Sequence, residues 1–188
     1  MFNPKIVDDF LNKDECKKIL DFAKSVESWG QDDSDFWNNR FLNSSDISTM
    51  NPDIGKLIYD IRSRVAIQIE SRYGIKKIYP DLFQIVRWFP GMEQSPHADD
   101  MTNADGDGLD WFAHREFGAI IYLNEDYSGG KTYYPNYNFE VEPKSGKLAI
   151  HPGDPEHLHG VTKVDGNIRY TLASFWTRDK TYFDNWIL

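Results

Sequence analysis

The residues best equipped for chemistry stand at the end of QIVRWFPGMEQSPHAD (residues 84–99): His97 and Asp99, one residue apart. In an extended strand, residues i and i+2 point to the same face. An imidazole and a carboxylate can therefore converge on one metal ion where such a strand ends. Far downstream, in HLHGV, lies His159, and Arg169 follows it. Two His and one carboxylate on one face of an octahedron leave three positions open, the arrangement of non-haem Fe(II) oxygenases. A His-x-Asp pair alone is weak evidence, since surface turns often carry it. The downstream partners give it weight.

Residues 146–177, GKLAIHPGDPEHLHGVTKVDGNIRYTLASFWT, hold an apolar strand at Leu148–Ile150, a polar turn at Pro152–Glu156, and then His157 and His159. Gly166-Asn167 marks a hairpin turn, and Ile168–Trp176 alternates as a half-buried strand does. If that turn joins two antiparallel strands, His159 and Arg169 face the same cavity. A metal with open positions beside an inward arginine suggests an anionic co-substrate, because the guanidinium fork holds both oxygens of a carboxylate.

Together these segments resemble the prolyl 4-hydroxylase-like branch of the Fe(II)/2-oxoglutarate dioxygenases. The matching pieces are RWFPG leading into His97-Ala98-Asp99, YLNEDYSGGKTYYP (122–135), EPKSGKLAIH (142–151) and HGVTKVDGNIRY (159–170). The opening VDDFLNKDECKKIL (7–20) is also similar, so the likeness runs over nearly the whole chain. The resemblance implies that His97, Asp99 and His159 bind Fe(II) and act in catalysis. It implies that Arg169 holds the far carboxylate of 2-oxoglutarate, where many relatives use Lys. Fe(II), 2-oxoglutarate, O2 and ascorbate are the cofactors and co-substrates it brings. The implied reaction hydroxylates an unactivated C–H bond, with a peptidyl proline as the substrate, and releases succinate and CO2. A free amino acid or another small molecule is the other substrate class. Two positions depart from the pattern: Trp88 and Gln94 stand where Tyr is common. An indole donates only through its N–H, so the co-substrate pocket, with Trp88 in its wall, is lined differently.

His157 competes with His159 as a ligand, and strand parity does not separate them. The HGV context and the spacing to Arg169 favour His159. His151, at a strand end, reads as structural. His114, with Trp111 and Phe112, lies in the long loop of residues 99–116 and is a candidate substrate contact. That loop raises a rival reading: Asn103, Asp105, Asp107 and Gly108 match the first half of a calcium loop, but His114 stands where the twelfth position needs Glu.

The elements that must position these residues can be read around them. Asn12-x-x-Glu15 is a capping box opening a helix that runs to about Val26, with Cys16, Ile19, Leu20, Ala23 and Val26 on one face. Residues 27–49 read as a long loop with a short strand, in which Trp29, Phe36 and Trp37 line an entrance or cover the core, the core reading being favoured. Asn51-Pro52 starts a second helix with a buried stripe of Ile54, Leu57, Ile58, Ile61, Val65 and Ile69, ended by Gly74. Strands are expected at 82–88, 117–123, 131–134, 139–142 and 147–151. The aromatic tail 180–188, with Tyr182, Phe183 and Trp186, packs back on the core or serves a dimer contact. The expected fold is mainly β with packed helices, a double-stranded β-helix (a jelly-roll or cupin-like barrel). A single domain is expected, with helical support over 1–80 and the β-helix core over 81–178.

Composition sets outer bounds. With 188 residues, 40% hydrophobic and 15% aromatic, the chain can build one sizeable core. Its net charge of −9 argues against nucleic acid, whose phosphates need a basic face. Cys16 is the one cysteine, so no disulfide can form within the chain, which fits a reducing compartment. Residues 1–20 show no signal peptide and no stretch reaches transmembrane length, so a cytoplasmic enzyme with no membrane partner is expected. Two rivals stand beside the oxygenase reading: a non-oxygenase cupin-like metal protein, and an inactive binding scaffold. Arg169 opposes the first, and the presence of all three ligands opposes the second.

Overall fold

A computed structural model describes residues 4–100 and 112–184. The strands are β1 (Lys5–Val7), β2 (Phe41–Asn43), β3 (Tyr79–Trp88), β4 (Gln94–His97), β5 (Phe117–Tyr122), β6 (Ser128–Gly129), β7 (Thr132–Tyr134), β8 (Phe139–Val141), β9 (Leu148–Pro152), β10 (His159–Val161), β11 (Val164–Asp165) and β12 (Arg169–Thr177). The helices are α1 (Lys13–Ser25), α2 (Ser44–Met50) and α3 (Pro52–Tyr73).

The large sheet runs β1-β9-β5-β12-β3-β2, the small one β4-β10-β7-β8, and β6 pairs with β11. Neighbouring strands are antiparallel throughout both main sheets. One cavity takes wall residues from both sheets, including Gln84, Gly118 and Arg169 from the large and Gln94, His159 and Val161 from the small. This is a double-stranded β-helix with its helices behind the large sheet.

Period-two alternation gives the large sheet its two faces. On β12, Arg169, Thr171, Ala173 and Phe175 line the cavity, while Tyr170, Leu172 and Trp176 join the core on the helix side. There they meet Ile58, Ile61, Val65 and Ile69 of α3 and Cys16, Ile19, Phe22 and Ala23 of α1. Both helices carry the expected stops and starts. Asn12 accepts from the Glu15 N–H while Glu15 reaches back to the Asn12 N–H. Asn51 caps α3 with Pro52 behind it, and Gly74 closes it at φ 65°, a left-handed turn that suits glycine.

Two expectations need correction. Residues 44–50 form α2, not loop; its one deep anchor is Ile47, and a helix of two turns is too short to display a period. Within the first 80 residues, β1 and the short strand expected in 27–49, here β2, supply both edges of the large sheet. β10 and β12 do not form a hairpin: β10 pairs with β4 and β7, whereas β12 lies between β3 and β5 in the other sheet. Short β11 takes up the turn by pairing with β6. The described part of the tail, residues 180–184, packs back, with Phe183 against Tyr79 and the Asp184 N–H on the Pro80 carbonyl. Trp186, Trp111 and the calcium-loop positions Asn103, Asp105, Asp107 and Gly108 fall outside the described residues.

Ile58 is fully buried between α3 and the sheet. Ile58→Ala should lower the free energy of unfolding in urea by about 2–5 kcal/mol. Ile67→Ala on the same helix, at a position 59% exposed, should change it by about 0.5 kcal/mol or less.

Candidate active site

β4 ends on His97, and His97 pairs directly with His159, the first residue of β10. Pairing across the small sheet thus sets two imidazoles side by side, with ring centroids 4.5 Å apart. The chain turns after His97 and delivers Asp99 to the same point. Asp99 Oδ1 lies 4.0 Å from His97 Nε2 and 3.4 Å from His159 Nε2. Ligand atoms from the three residues all fall within 4.8 Å of one another.

Both imidazoles present the correct nitrogen. His97 Nδ1 lies 3.1 Å from the Ser95 carbonyl, and His159 Nδ1 lies 3.3 Å from the His157 carbonyl. A carbonyl only accepts, so each Nδ1 donates to its carbonyl and each Nε2 is the nitrogen turned toward Asp99, where a metal ion would take the place of a proton. The donors around a first-row metal at bonds of about 2.1 Å stand about 3 Å apart. The trio needs only a small contraction to reach that spacing, and its chemistry is that of the two-His, one-carboxylate face.

The second Asp99 oxygen is held from behind. His151 Nε2 lies 3.1 Å from Asp99 Oδ2, and Tyr134 Oη lies 2.8 Å from His151 Nδ1. The nitrogen facing a carboxylate must donate, so the neutral ring accepts from the Tyr134 hydroxyl. Burial, and then the charge of His159, push the His151 imidazole down to about 4, which keeps it neutral. Burial also pushes the Asp99 carboxyl up, but the His159 charge and the bonds from His151 and His159 outweigh it and hold Asp99 well below the ordinary range. The same attraction overcomes burial at His159 and raises its imidazole. At His97, burial and the neighbouring His159 lower it. Gly118 on β5 makes the arrangement possible: a Cβ there would collide with both Asp99 Oδ2 and His151 Nε2.

The cavity holds about 570 Å³ of empty space, its open mouth included. The trio lies in its wall, and so does Arg169, 1% exposed, whose Nε and Nη2 meet no hydrogen-bond partner among the described residues. Arg169 pairs across the sheet with Trp88, and its guanidinium carbon lies 5.3 Å from the Trp88 ring and 5.2 Å from Tyr122. Burial raises the neighbouring Tyr127 phenol, and Arg169 pulls it back down in part. A buried cation with two unmet donors beside a cavity is costly to leave without a partner. Gln94 also lines the cavity.

The other histidines stand apart. His157 sits in a 3-10 turn rather than a strand, its Nδ1 2.6 Å from Asp154 and its ring stacked on Tyr137. His114 is 3.2 Å from Asp81 and stacks on Tyr182 at 3.7 Å; neither His114 nor Phe112 lines the cavity. His151, which reads from the sequence as structural, orients Asp99. Trp37 lines the cavity, the less favoured of its two sequence readings. The alternation of β9 on either side of Ile150 was the available signal for His151, since it turns His151 to the cavity face.

Fold and site together define a class, the β-helix proteins that hold a mononuclear metal with open positions. The sequence profile of the 2OG-Fe(II) oxygenase superfamily matches residues 83–178, and the chain belongs to that superfamily. Over 192 residues it is 24% identical to a putative prolyl 4-hydroxylase of Acanthamoeba polyphaga mimivirus, covering 95% of this chain and 75% of that one. Prolyl 3-hydroxylases match over shorter segments, 10% of the length of the human protein. Among solved structures, the 2OG complex of the viral collagen prolyl hydroxylase from Paramecium Bursaria Chlorella virus-1 superposes with a TM-score of 0.69 at 18% identity, covering 94% of this chain and 96% of that one. A prolyl hydroxylase from Trichoplax adhaerens, bound to a hypoxia inducible factor peptide fragment, gives 0.69 at 18% identity, with 95% and 84% covered. These likenesses show the same fold.

Gly118→Ala should displace the Asp99–His151 pair and weaken Mn(II) or Co(II) binding to the apoprotein by about 10–100-fold. Titration followed by calorimetry checks this. Unchanged metal affinity would mean that the pair does not support the site.

Proposed function

We propose that His97, Asp99 and His159 hold Fe(II), that Arg169 holds the far carboxylate of 2-oxoglutarate beside the Trp88 wall, and that the chain hydroxylates a peptidyl proline. The observation that carries this reading is the pairing of an open metal-donor trio with a buried, unmet guanidinium in the wall of one cavity. A cupin-like metal protein has no use for that buried cation. The names of the relatives support proline as the target, and the superposed structure with a bound peptide supports a peptide rather than a free amino acid.

Bound iron and 2-oxoglutarate supply the oxidation: O2 is consumed, the keto acid leaves as succinate and CO2, and a C–H bond becomes C–OH. The chain's own residues do the rest. The carbonyls of Ser95 and His157 fix which imidazole nitrogen faces the metal. His151 and Tyr134 hold Asp99 so that one oxygen stays turned to the trio. Arg169 fixes the length and direction of the co-substrate, and Val86, Val161, Ile120 and Phe175 give the cavity apolar walls. Such walls limit water where a reactive oxidant is formed. Ascorbate joins this scheme as a reductant on the family resemblance alone. A single catalytic domain and a cytoplasmic setting complete the reading; among the described residues no helix is long and apolar enough to cross a membrane.

The test is an anaerobic titration of apoprotein with Fe(II) and then 2-oxoglutarate, followed by the visible charge-transfer band between iron and keto acid. The band should form in wild type, vanish in His159→Ala, survive in His157→Ala and demand at least about tenfold more 2-oxoglutarate in Arg169→Ala. With O2 and proline-containing peptides, one oxygen atom should be added to proline, read by mass spectrometry. Tight Fe(II) binding without a band would sink the oxygenase reading. Turnover stimulated only by small molecules would move the substrate away from peptides.

A further inference from the structure

Arg169 is not the sole buried cation beside this cavity. Arg40, just ahead of β2, is 0% exposed. Its Nε donates to the Arg87 carbonyl at 3.1 Å and its Nη1 to the Phe36 carbonyl at 2.7 Å, but Nη2 meets no hydrogen-bond partner among the described residues. Its guanidinium carbon sits 4.4, 4.7 and 4.1 Å from the ring centroids of Phe36, Trp37 and Trp88. The same Trp88 indole lies 5.3 Å from the Arg169 guanidinium. Two buried guanidiniums therefore share one indole, and among the described residues no carboxylate forms an ion pair with either.

Buried like charges without a counter-ion are costly. Burial first, and then Arg169, pull Arg40 down to about 10, so it remains charged at neutral pH. Aromatic faces stabilise both cations and two carbonyls stabilise Arg40, and the large face of Trp is the best of the aromatic partners. That gives Trp88 a physical role where relatives often have Tyr. These partners leave the net positive charge in place, and an anion would balance it.

We propose that Arg40 is a positioning residue for the co-substrate, a second buried positive charge that acts through Trp88 and Arg169 to select a keto acid with an ionised far carboxylate. The proposal rests on the reading of Arg169 as the co-substrate clamp. Arg40 also ties the segment bearing Trp37 to β3, through its own N–H on the Trp37 carbonyl and the Arg87 N–H on its carbonyl. A purely structural role is thus the alternative that the test must separate.

The test uses Mn(II)-loaded protein, in which binding can be followed by calorimetry without turnover. Two probes are compared: 2-oxoglutarate, and 5-methyl-2-oxohexanoate, in which an isopropyl group replaces the far carboxylate. Arg40→Gln removes the charge, and Arg40→Lys keeps it without the guanidinium fork. Arg40→Gln should weaken 2-oxoglutarate by about tenfold while the analogue and Mn(II) itself change by about twofold or less, so the preference for the dianion collapses. Arg40→Lys should restore most of that preference. Equal weakening of both keto acids, or a Lys variant as poor as Gln, overturns the proposal and leaves Arg40 a structural clip. If Arg40→Gln does not fold, Arg40→Lys decides: a retained preference for the dianion supports the charge role, and a lost one overturns it. Wild type that binds Mn(II) but not 2-oxoglutarate overturns the Arg169 reading, and the proposal falls with it.

Discussion

Asp99 is a carboxylate only 5% exposed, and among the described residues no Lys or Arg pairs with it. A buried carboxylate must be hydrogen-bonded or neutralised. Here imidazoles meet that need: His97 and His159 face one oxygen and His151 the other. Much of the local architecture follows. β4 and β10 must pair so that His97 and His159 stand together, β9 must end with His151 turned inward, and β5 must carry glycine at 118 so the carboxylate can lie against the sheet. The small sheet brings two of the partners and the large sheet brings the third. A single carboxylate therefore joins the two halves of the β-helix.

Elsewhere in the cavity wall the electrostatics run the opposite way. Arg169 and Arg40 hold positive charge without a carboxylate partner, on aromatic faces rather than in water. The cavity wall thus carries the His-Asp-His trio in one part and a buried cation in another, with Val86, Val161 and Ala173 among its lining. The trio is satisfied within itself and by His151, whereas Nε and Nη2 of Arg169 meet no hydrogen-bond partner among the described residues.

How much of this could be read from the sequence depended on how local the cause was. The capping box at Asn12 and Glu15, the Pro52 start and the Gly74 stop are set by neighbours a few residues away, and each stands where it was expected. The stripe of α3 is a repeating pattern over many turns and was equally legible. α2 offered one buried isoleucine and polar neighbours, too little for a period. The partners of β10 were illegible because nothing within Gly166-Asn167 says whether the strands it separates pair with each other or with strands from opposite sheets. That His97, Asp99 and His159 come together was legible through residue type and order. His151 was not, because its role depends on Asp99 lying across Gly118, a contact between residues far apart in the chain. Arg40 was silent for the same reason, since only the fold places it beside Trp88.

The position of Arg169 is itself a consequence of packing on the far side of the sheet. β12 buries Tyr170, Leu172 and Trp176 against α1 and α3 while Arg169, Thr171, Ala173 and Phe175 face the cavity. A slip of one residue would exchange the two faces and drive a guanidinium into an isoleucine-rich core. The apolar partners of Leu172 and Tyr170 therefore fix the register that presents Arg169. The same alternation carries Trp176 to the core and Phe175 to the cavity wall, and the register irregularity opposite them is taken up in β3, where Asp81 is passed over between Leu82 and Pro80. The indole N–H, held on Ser174 Oγ at 2.9 Å, fastens that end of the strand. The helices carry no chemistry. They hold the strand to a register in which a buried cation lines the same cavity as the His-Asp-His trio, and without that register the two would not share one wall.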